Sequence, residues 1–286
     1  MTEEVNVGRR LGLAGLGAAA LLPLAANTAL AQNPSGTMDR VISEKKFKIG
    51  YIPSPPSIIK DPASDELKGF SVVAMRYVCS TLHVEPAFVE TTWANFVAGL
   101  DSSQFDLCIA GTFATILRAG AVQFTQPIWY LGYSAVVKKG DTRFTKPSDL
   151  NREGIKIALI QGGASVEYAK ENWPKAERVL LSTGNLTAPF VEVAAGRVDV
   201  GVEDAWQAKR FCAAQPGVVD LFDKDPYNVL PINWSVKRGN QDLVEFMNVA
   251  INFLLTTGRW EKMAEPYGPS GRFFVKPQLS VFGRES

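Results

Sequence analysis

The residues best suited to chemistry on a small molecule in this 286-residue chain are one arginine, two adjacent acids and a glycine turn. Arg118 closes the stretch Ala110-Gly111-Thr112-Phe113-Ala114-Thr115-Ile116-Leu117-Arg118, directly after an apolar run that reads as a strand. Its planar fork suits a carboxylate, and backbone amides from Gly111 to Phe113 add donors. Gln161-Gly162-Gly163-Ala164-Ser165 follows the strand Ile155 to Ile160 and opens a helix, which puts free amides where an anion can sit. Glu203-Asp204 ends the strand Val198 to Val202 and opens another helix, so one carboxylate caps that helix while facing a cleft. Arg118 and an acid on opposite sides of a cleft grip a zwitterion from both ends, and Trp93, Trp129 and Trp206 supply stacking or cation–π surfaces. Each feature also has a plainer alternative. Arg118 pairs with a surface acid, the Gly-Gly turn is only a connection, Asp204 only caps, and the tryptophans are core.

Other chemistries find little support. His83 is the sole histidine, so a Ser-His-Asp arrangement fails, whereas Glu167 and Glu203 leave paired-carboxylate chemistry open. Cys79 and His83 are spaced as two residues of one helix face would be, but two ligands do not make a closed zinc site, so no metal is expected, nor any cofactor. Gly15-Leu16-Gly17 has no strand before it and is rejected as a dinucleotide fingerprint. The three cysteines, Cys79, Cys108 and Cys212, read as buried thiols, with a Cys79–Cys108 disulfide left open in an oxidising compartment. With 30 Lys+Arg against 29 Asp+Glu there is no broad basic field, which excludes nucleic acid as the main partner.

Residues 1–31 form a unit of their own. Arg9-Arg10 precedes an uncharged Leu/Ala/Gly-rich stretch ending in Ala29-Leu30-Ala31, the three-part pattern of a signal peptide, with the paired arginines loosely matching the twin-arginine type. No later segment is apolar enough to span a bilayer, so the expected product is a soluble protein outside the cytoplasm.

From residue 47 onward, strand-like and helix-like runs alternate: Phe47 to Ile52, Phe70 to Leu82, Ala87 to Glu90, Trp93 to Leu100 and Phe105 to Ile109. The rhythm restarts at Ile155 and runs to Val202, so the pattern predicts two similar α/β lobes. Tyr130 to Lys138 and Tyr227 to Val236 are extended segments placed to cross between them, with a helix over Asp242 to Thr256 returning to the first lobe. The expected boundaries are 44–130 plus 237–286 for lobe 1 and 131–236 for lobe 2, hinged around a ligand cleft.

Taken in order, Leu67-Lys68-Gly69-Phe70, Trp93 to Leu100, Phe105-Asp106 through Arg118, Phe124-Thr125-Gln126-Pro127, Lys138-Lys139-Gly140-Asp141, Gly196-Arg197-Val198-Asp199 and Thr257-Gly258-Arg259-Trp260 resemble the periplasmic solute-binding proteins of the polar amino-acid uptake type, family 3. The resemblance runs from about Lys48 to Tyr267. It implies the two-lobed type II periplasmic-binding-protein fold, closure on a ligand, and delivery by a monomer to the membrane permease of an ABC importer. By position it implies Arg118 as the clamp on an α-carboxylate and Asp204 as acceptor for the α-ammonium. Gly111, Phe113, Ala164 and Ser165 fall at the ligand's backbone contacts and Trp93 at the stacking position. Phe113 stands where a hydroxyl residue is usual, Ala164 where threonine is usual, and Ile52 and Ser54 where an acid and an aromatic are usual; the missing acid at Ile52 points to a ligand with an uncharged side chain. The Gly162-Gly163 turn with Glu167 downstream is also similar to secreted cyclohexadienyl dehydratases, which makes an enzyme on the same scaffold the alternative, alongside a sensor component that presents its ligand to a receptor.

Overall fold

The computed structural model describes residues 36–267; the expected signal peptide and the tail from 269 onward lie outside the described residues. The described residues begin with α1 (Thr37–Glu44) and the first α/β unit: β1 (Lys46–Tyr51), β2 (Ile59–Lys60), β3 (Leu67–Lys68), α2 (Phe70–Thr81), β4 (Glu85–Glu90), α3 (Phe96–Asp101) and β5 (Leu107–Phe113). There follow α4 (Ile116–Ala121), β6 (Val122–Phe124) and the long β7 (Trp129–Lys138). The second unit is β8 (Lys156–Ile160), α5 (Ala164–Asn172), β9 (Glu177–Leu181), α6 (Ala188–Ala194), β10 (Val200–Asp204), α7 (Ala205–Ala214) and β11 (Val218–Asp220). The long β12 (Tyr227–Lys237), α8 (Gln241–Thr256) and α9 (Arg259–Ala264) complete it.

The main strand order is β4-β1-β5-β12-β7-β10-β8-β9. In each half the first strand of the unit lies in the middle, the second on the outside and the third inside, all parallel. The two units are therefore copies of one topology, as the repeated rhythm predicts. The central strands β1, β5, β8 and β10 are buried along nearly their whole length, which explains why they read as continuous apolar runs and not as alternating ones. Antiparallel β12 and β7 lie side by side between the halves, and β12 also pairs with β5 while β7 pairs with β10. These two strands are the crossovers expected from Tyr130 to Lys138 and Tyr227 to Val236.

Local differences have identifiable causes. The segment Ala110 to Phe113, which the sequence puts after the strand rather than in it, continues β5, because β12 offers a pairing edge there through Ile232 opposite Phe113 and Asn233 opposite Thr112. The helix expected from Trp93 starts only at Phe96; Asn95 and Phe96 both donate to the Thr92 carbonyl, so Trp93 sits in a turn. Cys79 and Cys108 are free, buried thiols, so the disulfide left open by the sequence is not formed. After the second crossover α8 returns to the first half, where Asp242 of its first turn accepts the Met38 amide of α1 at 2.8 Å.

Two aromatic clusters stiffen the interior beside the cleft. In one, Phe70, Trp129, Trp234 and Trp260 meet with ring centroids 5.5–6.1 Å apart. In the other, Tyr133 contacts Phe113 at 4.7 Å, and Tyr168 and Tyr227 at 6.1 and 6.2 Å. Each such pair contributes about 0.5–1.5 kcal/mol beyond the area it buries.

Candidate functional site

Open α/β sheets place ligands beyond the carboxyl ends of their strands, and here the ends of β5, β8 and β10 converge. A pocket of about 760 Å³ of unfilled space, part of it open to solvent, lies between them. Trp93, Gly111, Phe113, Arg118, Ala164 and Asp204 all line it, so six residues singled out from the sequence come together from both halves. Ser165 does not line it; its hydroxyl is buried and finds no hydrogen-bond partner among the described residues. Gly111 is required where it stands, because a Cβ there would come within 2.9 Å of both Trp129 and Ile232.

Arg118 is brought in by a short helix. Thr115 caps α4, its hydroxyl accepting the Arg118 amide at 3.2 Å, and the first turn then aims the guanidinium inward. The side chain is only 6% exposed, donating from Nη1 to the Phe113 carbonyl at 3.3 Å and from Nη2 to the Gly162 carbonyl at 2.6 Å. Its carbon lies 5.8 Å from the Phe96 ring centroid. Among the described residues no carboxylate forms an ion pair with it. Burial pulls its pKa below the ordinary value, while Tyr133, Glu167 and Glu203 oppose that shift; an arginine nevertheless stays charged. A buried cation satisfied by carbonyls alone retains donors for an anion.

Asp204 does both jobs the sequence offered as alternatives. As N-cap of α7 its Oδ1 accepts the Gln207 amide at 2.9 Å, and it also lines the pocket at 6% exposure. Glu203, one residue earlier, is equally buried and lines the same pocket, with Oε1 accepting the Asp204 amide at 3.1 Å. Desolvation pushes Glu203 up to about 8, reinforced by the Asp204 carboxylate, and pushes Asp204 up to about 6, opposed by the Gln207 and Trp206 amides. Two acids and one guanidinium therefore share a space walled by Phe70, Trp93, Trp129 and Trp206.

Opposite sides of the pocket touch directly. Besides Arg118 to Gly162, the Thr115 hydroxyl donates to Glu167 at 3.1 Å and the Gln207 amide side chain donates to the Pro55 carbonyl at 2.6 Å. Glu167 does not line the pocket. No group of three or more metal-ligating side chains occurs among the described residues, and no described helix is long and apolar enough to cross a membrane.

A pocket between two lobes of like topology, joined by two long strands and set with an arginine and an acid from opposite sides, is the arrangement of a solute-binding protein, and residues 47–270 match the family model for bacterial extracellular solute-binding proteins, family 3. The chain belongs to this family. Among relatives of this family 3 solute-binding protein, the L-arginine-binding protein of Pseudomonas aeruginosa is 24% identical over 236 residues, 79% of this chain and 88% of that one. The ABC transporter glutamine-binding protein GlnH of Bacillus subtilis is 23% identical over 208 residues, 72% of this chain and 74% of its own length. Among solved structures, the ancestral amino acid-binding protein AncCDT-1, described as a precursor of cyclohexadienyl dehydratase, superposes with a TM-score of 0.73 at 26% identity, covering 82% of this chain and 99% of that one.

The family 3 fold also brings in residues that sequence reasoning did not place. Pro55 and Ser57 reach the pocket from the loop after β1, beside Ser54, which the resemblance already puts at a ligand-facing position, and Gln207 comes from α7. Ile52, whose missing acid guided the expectation about the ligand, is fully buried among Trp93, Phe96 and Ile160 and does not line the pocket. Glu203 carried a readable signal: an acid at the end of an otherwise apolar strand.

Proposed function

We propose that this solute-binding protein captures an amino acid or a closely related small carboxylate outside the cytoplasm and hands it, as a monomer, to the permease of an ABC importer. Residues 1–31 are the export signal; 44–130 plus 237–286 and 131–236 are the lobes that close on the ligand. Arg118 takes the α-carboxylate, helped by amides at Gly111, Phe113 and Ala164, and Asp204 takes the α-ammonium. Trp93 stacks on the remainder. The observation that carries this reading is the buried Arg118 guanidinium, held by two carbonyls and by no carboxylate among the described residues, in the same pocket as Asp204. The names of the relatives, which refer to arginine, glutamine and amino-acid binding, support it.

The function is binding and not catalysis. Glu167, the acid behind the likeness to dehydratases, lies outside the pocket and accepts from the Thr115 hydroxyl, and the relatives are named for binding.

The test is a thermal-shift screen of the purified protein against the common amino acids and a set of small carboxylates, since a ligand at 100 times its Kd adds about 2.7 kcal/mol. Stabilisation by an amino acid, lost in Arg118→Ala, is the expected result. Silence from every amino acid, or turnover of prephenate, overturns the reading.

A further inference from the structure

The pocket contains one carboxylate more than a simple zwitterion uses. Among the described residues Arg118 is the single cation lining it, against Glu203 and Asp204. Once Arg118 meets the ligand's carboxylate and Asp204 its ammonium, Glu203 is left over. A lone ionised carboxylate in such a place is costly unless it is protonated or meets a cation. One of its oxygens accepts the Asp204 amide, and no described lysine or arginine is ion-paired with it. A second observation concerns the walls: Phe70, Trp93, Phe113, Trp129 and Trp206 surround the space with aromatic surface, which attracts positive charge through its π faces. Surplus negative charge and aromatic walls select for the same kind of group.

We propose that Glu203 is the specificity-determining residue of this site, receiving a second positive charge, so that the ligand is an amino acid with a cationic side chain whose arrival releases a proton from Glu203. The inference rests on the capture of the α-carboxylate and α-ammonium by Arg118 and Asp204. The step balances simply: the neutral carboxyl of the free protein loses its proton to solvent, and the ligand's side-chain cation takes its place beside the carboxylate. It also reverses the expectation drawn from Ile52, because the acid comes from β10 in the second lobe and not from the strand end in the first.

The groups facing Glu203 are consistent with this exchange. Arg118 on α4 draws its pKa down and Asp204 beside it raises it, with desolvation the largest influence of all. Tyr133 on β7 and Tyr227 on β12 feel its charge, and both phenols are held well above their ordinary value, so they stay neutral. Glu167 on α5 acts on Arg118 and Tyr133, and Arg210 on α7 acts on Asp204. Desolvation and the Asp204 carboxylate both favour the protonated form of Glu203 in the free site, and a cation in contact favours the charged form.

Isothermal titration at pH 7 in phosphate and in Tris, buffers of very different ionisation enthalpy, tests this with arginine, lysine, glutamine and leucine as probes. The expected result is that arginine or lysine binds at least about tenfold tighter than glutamine or leucine, a difference near 1.4 kcal/mol, with close to one proton released per ligand. In Glu203→Gln, cationic ligands weaken by at least roughly tenfold relative to glutamine and leucine, and the proton release disappears. The proton count on the unaltered protein stands even where the variant folds poorly. Tighter binding of glutamine or leucine, release of no proton with arginine or lysine, or a folded Glu203→Gln that keeps the cationic preference overturns the role of Glu203 while leaving capture of the α-groups intact. Binding of none of the four, or binding that survives Arg118→Ala, overturns the underlying reading instead.

Discussion

Arg118 Nη2 donates to the Gly162 carbonyl at 2.6 Å, a bond between the helix that follows β5 and the turn that follows β8. The residue placed to hold a ligand's carboxylate thus also holds the two sides of the pocket together. A guanidinium can do both because its fork presents five donors in one plane, whereas an ammonium offers a single point of charge. Arg118→Lys should therefore weaken binding by at least about tenfold, near 1.4 kcal/mol, and enlarge the radius of gyration of the liganded protein in small-angle scattering. An unchanged Kd would show that charge alone suffices.

Asp204 allows its two roles to be separated. Asn is as good an N-cap as Asp but carries no charge, and Ala is neither. Asp204→Ala should lose about 0.5–2 kcal/mol of stability with the Gln207 bond, whereas Asp204→Asn should melt at or above the parent temperature because a buried carboxylate is gone. Both should lose affinity for amino acids to a similar degree. Calorimetric melting beside titration of ligand checks this, and a large difference in affinity between the two variants would mean that the cap, and not the charge, matters to the ligand.

How much of this was legible beforehand follows from what each feature depends on. Strands β1 and β8 read true to within a residue at each end because buried parallel strands leave apolar runs in the sequence itself. The extension of β5 through Phe113 depends on β12, more than a hundred residues away, and no local pattern reveals a distant pairing edge. Asp204 could be named because it ends a strand, and Arg118 and Trp93 because each lies a few residues after a strand, at the carboxyl side of the sheet. Glu203 could be named as an acid ending an apolar strand, but its surplus charge could not be read, since that exists only after three elements have met and their cations have been counted. Ser165 was placed with Ala164 by sequence adjacency, but the helix turns its hydroxyl into the interior.

The buried acids also set a pH dependence of stability in the ligand-free protein. Glu203 has an ordinary value of 4.5 and is raised to about 8 in the fold, so between those values the folded state binds more protons than the unfolded one. Stability from this group is then complete below about pH 4.5 and is lost as pH rises through 8; Asp204, raised to about 6, acts in the same sense at lower pH. The melting temperature should fall between pH 6 and 8.5, and Glu203→Gln should flatten that slope. A rise over the same interval, or an identical slope in the variant, contradicts the assignment.

All three cysteines should be slow to react in the native protein. Burial pushes the thiols of Cys79, Cys108 and Cys212 up to about 12, and the thiolate is the reactive form. Ellman's reagent should find little thiol in the folded protein and three per chain once it is denatured, with dithiothreitol leaving the melting temperature unchanged. One thiol on denaturation would reveal a disulfide and contradict the structure.

Gly162 offers the sharpest test of closure. Its φ of +77° lies where only glycine is comfortable, and a Cβ there would sit 2.7 Å from the Trp93 carbonyl oxygen on the other side of the pocket. Alanine therefore carries two penalties of different kinds. Left-handed backbone strain, about 1–2 kcal/mol, lowers stability with or without ligand, whereas the clash with Trp93 opposes only the closed arrangement. Gly162→Ala should melt a few degrees lower, bind its ligand at least tenfold more weakly, and show a smaller change in scattering radius on adding ligand than the parent protein shows. If affinity were unchanged while the melting temperature fell, strain would account for the whole effect, and the approach of Gly162 to Trp93 would play no part in holding the ligand.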